Sequence, residues 1–425
     1  MRRLAAALGL SFLIACGSEP PPLVRPTPPA RATVAPTAAP APGYSLSAPP
    51  QWQRAPRGQG ERFTDPDGSV VVDLVLRPSD DLDALIDQLV KSEGIDMPER
   101  QRVNSKTGET FELVTVATFA SDDQQRFAQI IAQKRGSVAY VFVLRGPLKD
   151  IARREAELHQ LMGSLKIEGA EDKILDPKNK KPLTEDRLSK LYAAVDAVRQ
   201  AEGVPGLALA VVDGTEVYSR GFGVRAEGGG AVDADTQFMI GSVTKSFSTL
   251  LIATLVDAGA LGWETSVKEL YPEFQLADGE LASKLEVQDL FCACTGLPRT
   301  DFTLVFEFAG KGPKDVFATL AGLSPTTAMN ETFQYNNQLT AAGGYLAGHV
   351  AFPEESDLRR AYQQALRGRV LDPLGMSSTT MELSAVKKRA NHAMPHALTI
   401  DGTTAAVPLG YEDFVLPLAP AGALW

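Results

Sequence analysis

Apolar and polar positions follow different rhythms along this chain, and each change of rhythm marks a segment. Residues 4 to 15 form a twelve-residue, mostly apolar run behind Arg2 and Arg3. That is short of the roughly 17 residues a membrane span needs and fits the core of an export signal. Residues 20 to 42 have no rhythm: nine of the 23 are proline and most others are Ala or Thr. Neither helix nor packed core forms from such a stretch, so it reads as an extended spacer.

From residue 44 to about 167 the pattern becomes mixed. Apolar, β-branched runs at 69–76, 112–119, 127–132 and 138–144 predict strands, with Asp65, Pro66, Asp67 and Gly68 as a turn. Leu82, Leu85, Ile86, Leu89 and Val90 recur at helical spacing, which predicts a helix over 80–93 capped by Ser79, with Asp80, Asp81 and Asp83 in its first turn. A second helix is predicted over 148–162, closed by Gly163. Antiparallel strands with two helices on one face make a small α+β domain over 44–167. After a charged linker, 168–182, the pattern predicts a helix over 184–201, a strand over 207–212, a turn at Asp213 and Gly214, and a second strand over 215–221.

Composition narrows the function classes. The 425 residues carry 42 Lys and Arg against 52 Asp and Glu, a net charge of −10. The absence of a basic block argues against a protein that tracks nucleic-acid phosphates. Three cysteines exclude a disulfide scaffold. Cys16 directly follows Leu13, Ile14 and Ala15 at the end of the leader and is followed by the spacer, an arrangement that resembles a bacterial lipobox. Cys16 is then the lipidated residue, and the chain is expected on a bacterial cell envelope membrane. Gly17 in place of aspartate favours the outer membrane. The alternative is an ordinary signal peptide with an incidental cysteine.

The candidate chemistry begins at Ser242, Val243, Thr244 and Lys245, an SxxK tetrad at the mouth of an apolar helix. Residues three apart share a helical face, so the amine of Lys245 can reach the hydroxyl of Ser242. A serine in the first helical turn also offers its backbone N–H to a developing oxyanion. The amine serves as a base once desolvation or a neighbouring cation lowers its pKa. Ser384 and Lys387 form a second SxxK, but Lys388 and Arg389 follow it and no glycine precedes it. Tyr335 and Asn337 form a YxN element, which offers a phenol for proton transfer and an amide to hold the lysine and a substrate carbonyl. Cys292 and Cys294 are read as buried free thiols, because no zinc-ligand set stands at suitable spacing. His392 and His396 are placed in a loop.

With Thr236 to Ser248 around the tetrad, Thr295–Gly296–Leu297–Pro298, the strip YNNQLTAAGGYLAG from Tyr335, VLDPLGM from Val370 and the terminal PAGALW, the chain resembles the serine beta-lactamase and penicillin-binding superfamily, class C type. The resemblance covers about 184–425. It implies an α/β domain of sheet plus helical region over 183–425, incomplete at its C-terminal side. It also implies that Ser242 attacks a carbonyl, Lys245 takes the proton, Tyr335 shuttles it and Asn337 positions the amide. No cofactor or metal is implied, and the substrate is a beta-lactam, a peptidoglycan-like D-Ala peptide or an ester. The order of elements over 44–167 is weakly similar to the PsbP and Mog1 domains.

The third signature of that superfamily, KTG or HxG after its AGGLW segment, has no counterpart here. Lys106–Thr107–Gly108 spells KTG but lies in the first domain, where it reads as a polar turn. The expectation is therefore a C-terminally truncated hydrolase, feeble or inactive as this chain. The competing expectation is a non-catalytic envelope lipoprotein whose residues 44–167 bind a protein partner.

Overall fold

The structure is a computed structural model that describes residues 43–105, 110–123, 125–170, 181–226, 228–301, 307–398 and 404–425. The leader, Cys16, the spacer and the KTG triplet lie outside these residues. The chain divides into two compact units, one on each side of residues 171–180.

Unit one is built on a seven-stranded antiparallel sheet. Its strands are β2 (Gln53–Arg57), β3 (Gly60–Thr64), β4 (Val71–Pro78), β5 (Glu99–Ser105), β6 (Leu113–Ala120), β7 (Arg126–Arg135) and β8 (Val138–Pro147). Their spatial order is β2-β3-β4-β8-β7-β6-β5. A two-residue strand β1 (Tyr44–Ser45) pairs with β9 (Lys166–Ile167) at the ends of the unit. The turn before β4 forms as the sequence predicts: Gly68 has φ of 73° and its N–H donates to the Asp65 carbonyl at 3.0 Å.

The helices lie on both faces of the sheet, not on one. Val141 and Val143 of β8 pack with Leu82, Leu85, Ile86 and Leu89 of helix α1 (Leu82–Ser92), whereas Tyr140, Phe142 and Leu144 pack with Leu158 and Leu161. The physical reason lies in the central strands: β4 and β8 are apolar on successive residues, and a strand apolar on both faces has to be covered on both. The α1 cap is Asp81, which accepts from the Ala84 N–H at 3.0 Å; the Ser79 hydroxyl instead donates to the Asp81 carbonyl. The predicted helix over 148–162 is two helices, α2 (Leu148–Arg153) and α3 (Glu155–Gly163), broken at Arg154. Arg154 is buried with Asp65, Asp67 and Glu157 as ion-pair partners, and those contacts override helical propensity at this position.

Unit two opens with α4 (Glu185–Ala201), capped by Thr184, and the hairpin β10 (Gly206–Asp213) and β11 (Glu216–Gly223). No residue of α4 is buried, and Val212 and Val217 of the hairpin are 70% and 66% exposed. Among the described residues β10 pairs with β11 alone. The remainder is largely helical around a main apolar core, with a smaller cluster of Leu383, Val386, Leu409 and Trp425 beside it.

Two helices fix the centre of that core. Helix α5 (Thr244–Asp257) buries Thr244, Ser248, Leu251, Ile252 and Leu255, one stripe at 3.6-residue spacing. The helix Asn337–Ala351 is buried along the whole of residues 338–348. Its small residues allow this: a Cβ on Gly344 would lie 2.3 Å from the Pro420 Cβ, and one on Gly348 would lie 2.4 Å from the Tyr362 backbone nitrogen. The terminal segment packs in the same place. The Tyr345 hydroxyl donates to the Pro417 carbonyl at 2.7 Å and the Ser248 hydroxyl to the Pro420 carbonyl at 2.6 Å.

Candidate active site

Ser242 stands between a turn and a helix. Gly241 has φ of 50°, a left-handed conformation that suits glycine, and residues Gly241–Val243 form a short 3-10 turn running straight into α5. Ser242 is exposed while Thr244 behind it is fully buried, and the Thr244 hydroxyl accepts from the Leu424 N–H at 3.2 Å. The nucleophile candidate thus projects from an anchored turn. Its N–H belongs to the first amides of the helix, which have no partner within it.

The side chains singled out from the sequence converge here. The Lys245 Nζ lies 3.1 Å from the Ser242 Oγ, and the Tyr335 hydroxyl donates to the same oxygen at 2.6 Å. Lys245 also donates to the Asn337 Oδ1 at 2.6 Å and to the Ala421 carbonyl at 2.7 Å. All three acceptors are uncharged. Burial lowers the pKa of Lys245 to about 8, with Asp301 pulling it upward and Arg299 downward. Burial raises the pKa of Tyr335, against the hydrogen bond to Ser242 and the charge of Arg299. At neutral pH the phenol is therefore protonated and the amine sits near its titration point, the state a proton relay needs.

A second set of contacts orients the strip that carries Tyr335 and Asn337. Gln334, Asn336 and Gln338 are buried and donate through their side-chain amides to the carbonyls of Gly296, Pro298 and Thr300, at 3.0, 2.9 and 3.1 Å. Alternate residues thus stitch 334–338 to the turn at 296–300, and Tyr335 and Asn337 between them reach Ser242 and Lys245. Gly296 has φ of 80°, and a Cβ there would lie 2.1 Å from the Thr327 carbonyl oxygen, so the turn requires glycine. Asp301, which belongs to no sequence motif, accepts from the Asn337 Nδ2 at 2.7 Å and is bonded to the Arg299 Nε. Its signal was weak: a single acid two residues after an Arg, outside any motif.

Two expectations are corrected. Cys292 and Cys294 are joined to each other and are not buried free thiols; Cys292 is exposed and Cys294 half-buried. Ala293 between them has φ of 54°, and this turn brings the two Cα atoms to 5.3 Å, within the ordinary span of a disulfide. Asp289 and the two sulfurs are the one metal-sized cluster among the described residues, and the disulfide consumes the thiols. His396 opens a short strand and is not in a loop, its Nδ1 lying 2.9 Å from the Met394 carbonyl; His392 lies against the Arg389 carbonyl at 2.6 Å. Ser384 and Lys387 of the second SxxK are both exposed on a six-residue helix.

The family model described as Beta-lactamase matches residues 191–425. The chain is 27% identical over 187 residues to the Unguisins hydrolase ungD' of Aspergillus campestris (strain IBT 28561), covering 42% of this chain and 34% of that one. It is 32% identical over 203 residues to Penicillin-binding protein 4 of Amycolatopsis lactamdurans, covering 47% and 51%. The chain thus spans about a third to a half of the length of these relatives. Among solved structures it is similar to the octameric penicillin-binding protein homologue from Pyrococcus abyssi, with a TM-score of 0.46 and 22% identity over 56% of this chain and 53% of that one.

Proposed function

The chain belongs to the beta-lactamase family of serine hydrolases, and from that premise we propose that it cleaves a beta-lactam, a D-Ala-type peptide or a small ester through an acyl-enzyme on Ser242. The observation that carries this reading is the pair of contacts on one oxygen: Ser242 Oγ lies 3.1 Å from the Lys245 amine and 2.6 Å from the Tyr335 hydroxyl. In the proposed cycle the neutral amine takes the serine proton as Oγ bonds to the carbonyl carbon. Tyr335 returns a proton to the departing nitrogen or oxygen, and the acyl group stays on Ser242. The lysine ammonium then restores the phenol. In the second half the neutral amine, relayed by Tyr335, takes a proton from water as it attacks the acyl carbon, the bond from that carbon to Ser242 Oγ breaks, and the proton returns to Oγ as the acid product leaves. The Ser242 N–H offers one donor to the oxyanion.

The test is covalent. The protein is incubated with a penicillin, a D-Ala-D-Ala peptide ester and an activated small ester, and the intact mass is recorded. The expected result is an adduct mapped to Ser242 with at least one of them, absent in Ser242→Ala. An adduct that persists in that variant contradicts the reading.

We also propose that the body is tethered to the bacterial envelope, on the outer membrane, through a lipid on Cys16. Support comes from the leader, Ala15–Cys16 and the proline-rich spacer. Expressed in a bacterium, the protein is expected to enter a detergent phase and Cys16→Ala to remain aqueous; equal partitioning contradicts the tether.

A further inference from the structure

The turn that follows Pro298 carries two charged side chains that no step above uses. Asp301 accepts from the Asn337 Nδ2 at 2.7 Å and is bonded to the Arg299 Nε. The Arg299 guanidinium carbon lies 5.4 Å from the centre of the Tyr335 ring, and the Lys245 Nζ lies 4.7 Å from the same ring. The pair therefore contacts Tyr335 and Asn337, and through Asn337 it is one hydrogen bond away from Lys245.

We propose that Arg299 and Asp301 are positioning residues for this site, Asp301 locking the Asn337 amide with its oxygen toward Lys245 and Arg299 cancelling the charge that this lock would otherwise impose on the lysine. The inference rests on the reading of Lys245 as the base. An asparagine amide has nearly the same shape in two orientations that differ by exchange of O and N. With nitrogen toward Lys245, donor would face donor. An ionised carboxylate only accepts, so Asp301 holds the amide nitrogen and leaves the oxygen for the lysine at 2.6 Å.

That lock has an electrostatic cost that explains its partner. An anion next to the amide raises the lysine pKa and so favours the ammonium, which is not a base. Arg299 acts in the opposite direction. The charged or titratable groups that face Lys245 among the described residues are these two from the turn and Tyr335 from the strip. From its own helix it meets the Ser242 hydroxyl, and from the terminal segment the Ala421 carbonyl. With the pair charge-neutral, burial sets the titration of the amine.

The full chain is studied in a Ser242→Ala background, so that acyl transfer cannot intervene. Trace acetic anhydride labels lysines in proportion to their neutral fraction, and peptide mass spectrometry reads Lys245 at each pH. The expected midpoint is about 8 in the parent. Asp301→Asn, which keeps the shape, should lower the midpoint by about 0.5 to 1 pH unit, and Arg299→Gln should raise it by a similar amount. A merely structural role would not displace the two variants in opposite directions. Midpoints within about 0.2 of the parent in both, or displaced in the same direction, overturn the proposal. Each variant carries its own sign, so one that fails to fold leaves the other decisive. A parent midpoint near that of an ordinary lysine contradicts Lys245 as the base, while the opposite displacements still report on the pair.

Discussion

Two clusters of charge, one in each unit, use the same residue types to opposite ends. In unit one the fully buried Asp73 is ringed by Arg57, Arg62 and Arg145, and Glu93 joins Arg57 and Arg145 at 2.6 and 2.9 Å. Burial alone would raise the pKa of Glu93, but the two arginines hold it below the usual carboxylate range. In unit two the half-buried Lys245 sends its hydrogen bonds to a hydroxyl, an amide and a backbone carbonyl. A cation matched by carboxylates cannot easily give up its proton. One held by neutral oxygens can, which separates a clamp from a relay.

The largest expected effect lies at Asp73. Asp73→Ala should destabilise unit one by about 2 to 3 kcal/mol, because it removes the fully buried acceptor shared by three partly exposed arginines, of which Arg57 and Arg145 keep Glu93. Urea unfolding followed by signals from unit one measures this, and labelling of Ser242 under native conditions should be unchanged. A loss of less than about 1 kcal/mol would mean the ring of arginines is not a clamp.

Removing only the hydroxyl in Tyr335→Phe should slow acylation by about 10²-fold or more while leaving stability within about 0.5 kcal/mol. Stopped-flow or timed mass spectra provide the rate. A smaller loss than tenfold would take Tyr335 out of the proton circuit.

A milder perturbation sharpens the same contrast through packing. Gly348→Ala drives a methyl toward the Tyr362 backbone, 2.4 Å away, and should cost about 1 to 3 kcal/mol of unit-two stability without touching the clamp in unit one. Thermal unfolding with separate probes for each unit checks that the loss is confined to unit two.

How much of this was legible in the sequence follows from how local each signal is. Ser242 and Lys245 are three residues apart at a helix mouth, so their encounter is written in one turn of backbone geometry. Tyr335 and Asn337 join them across about 90 residues, and only the YxN spacing announced it. The central strands and α1 were visible from periodicity, but the two-sided covering of the sheet required reading the unbroken apolar run in β8 as burial on both faces. Arg154 broke a helix for the sake of partners at Asp65, Asp67 and Glu157, a tertiary demand with no local mark. The Cys292–Cys294 bond depended on a left-handed Ala293, which sequence rules disfavour. Asp301 has no mark in the sequence because its contact with Asn337 exists only in the folded chain.

In the proposed cycle a lysine with its pKa lowered to about 8 takes the proton of Ser242. The rate of Ser242 acylation by a small activated ester, measured from pH 6 to 10, tests it most directly. The neutral amine is the active form, so the rate should climb about tenfold between pH 7 and pH 9, with a midpoint near 8. A rate independent of pH, or one still rising with a midpoint above about 10, would contradict the account.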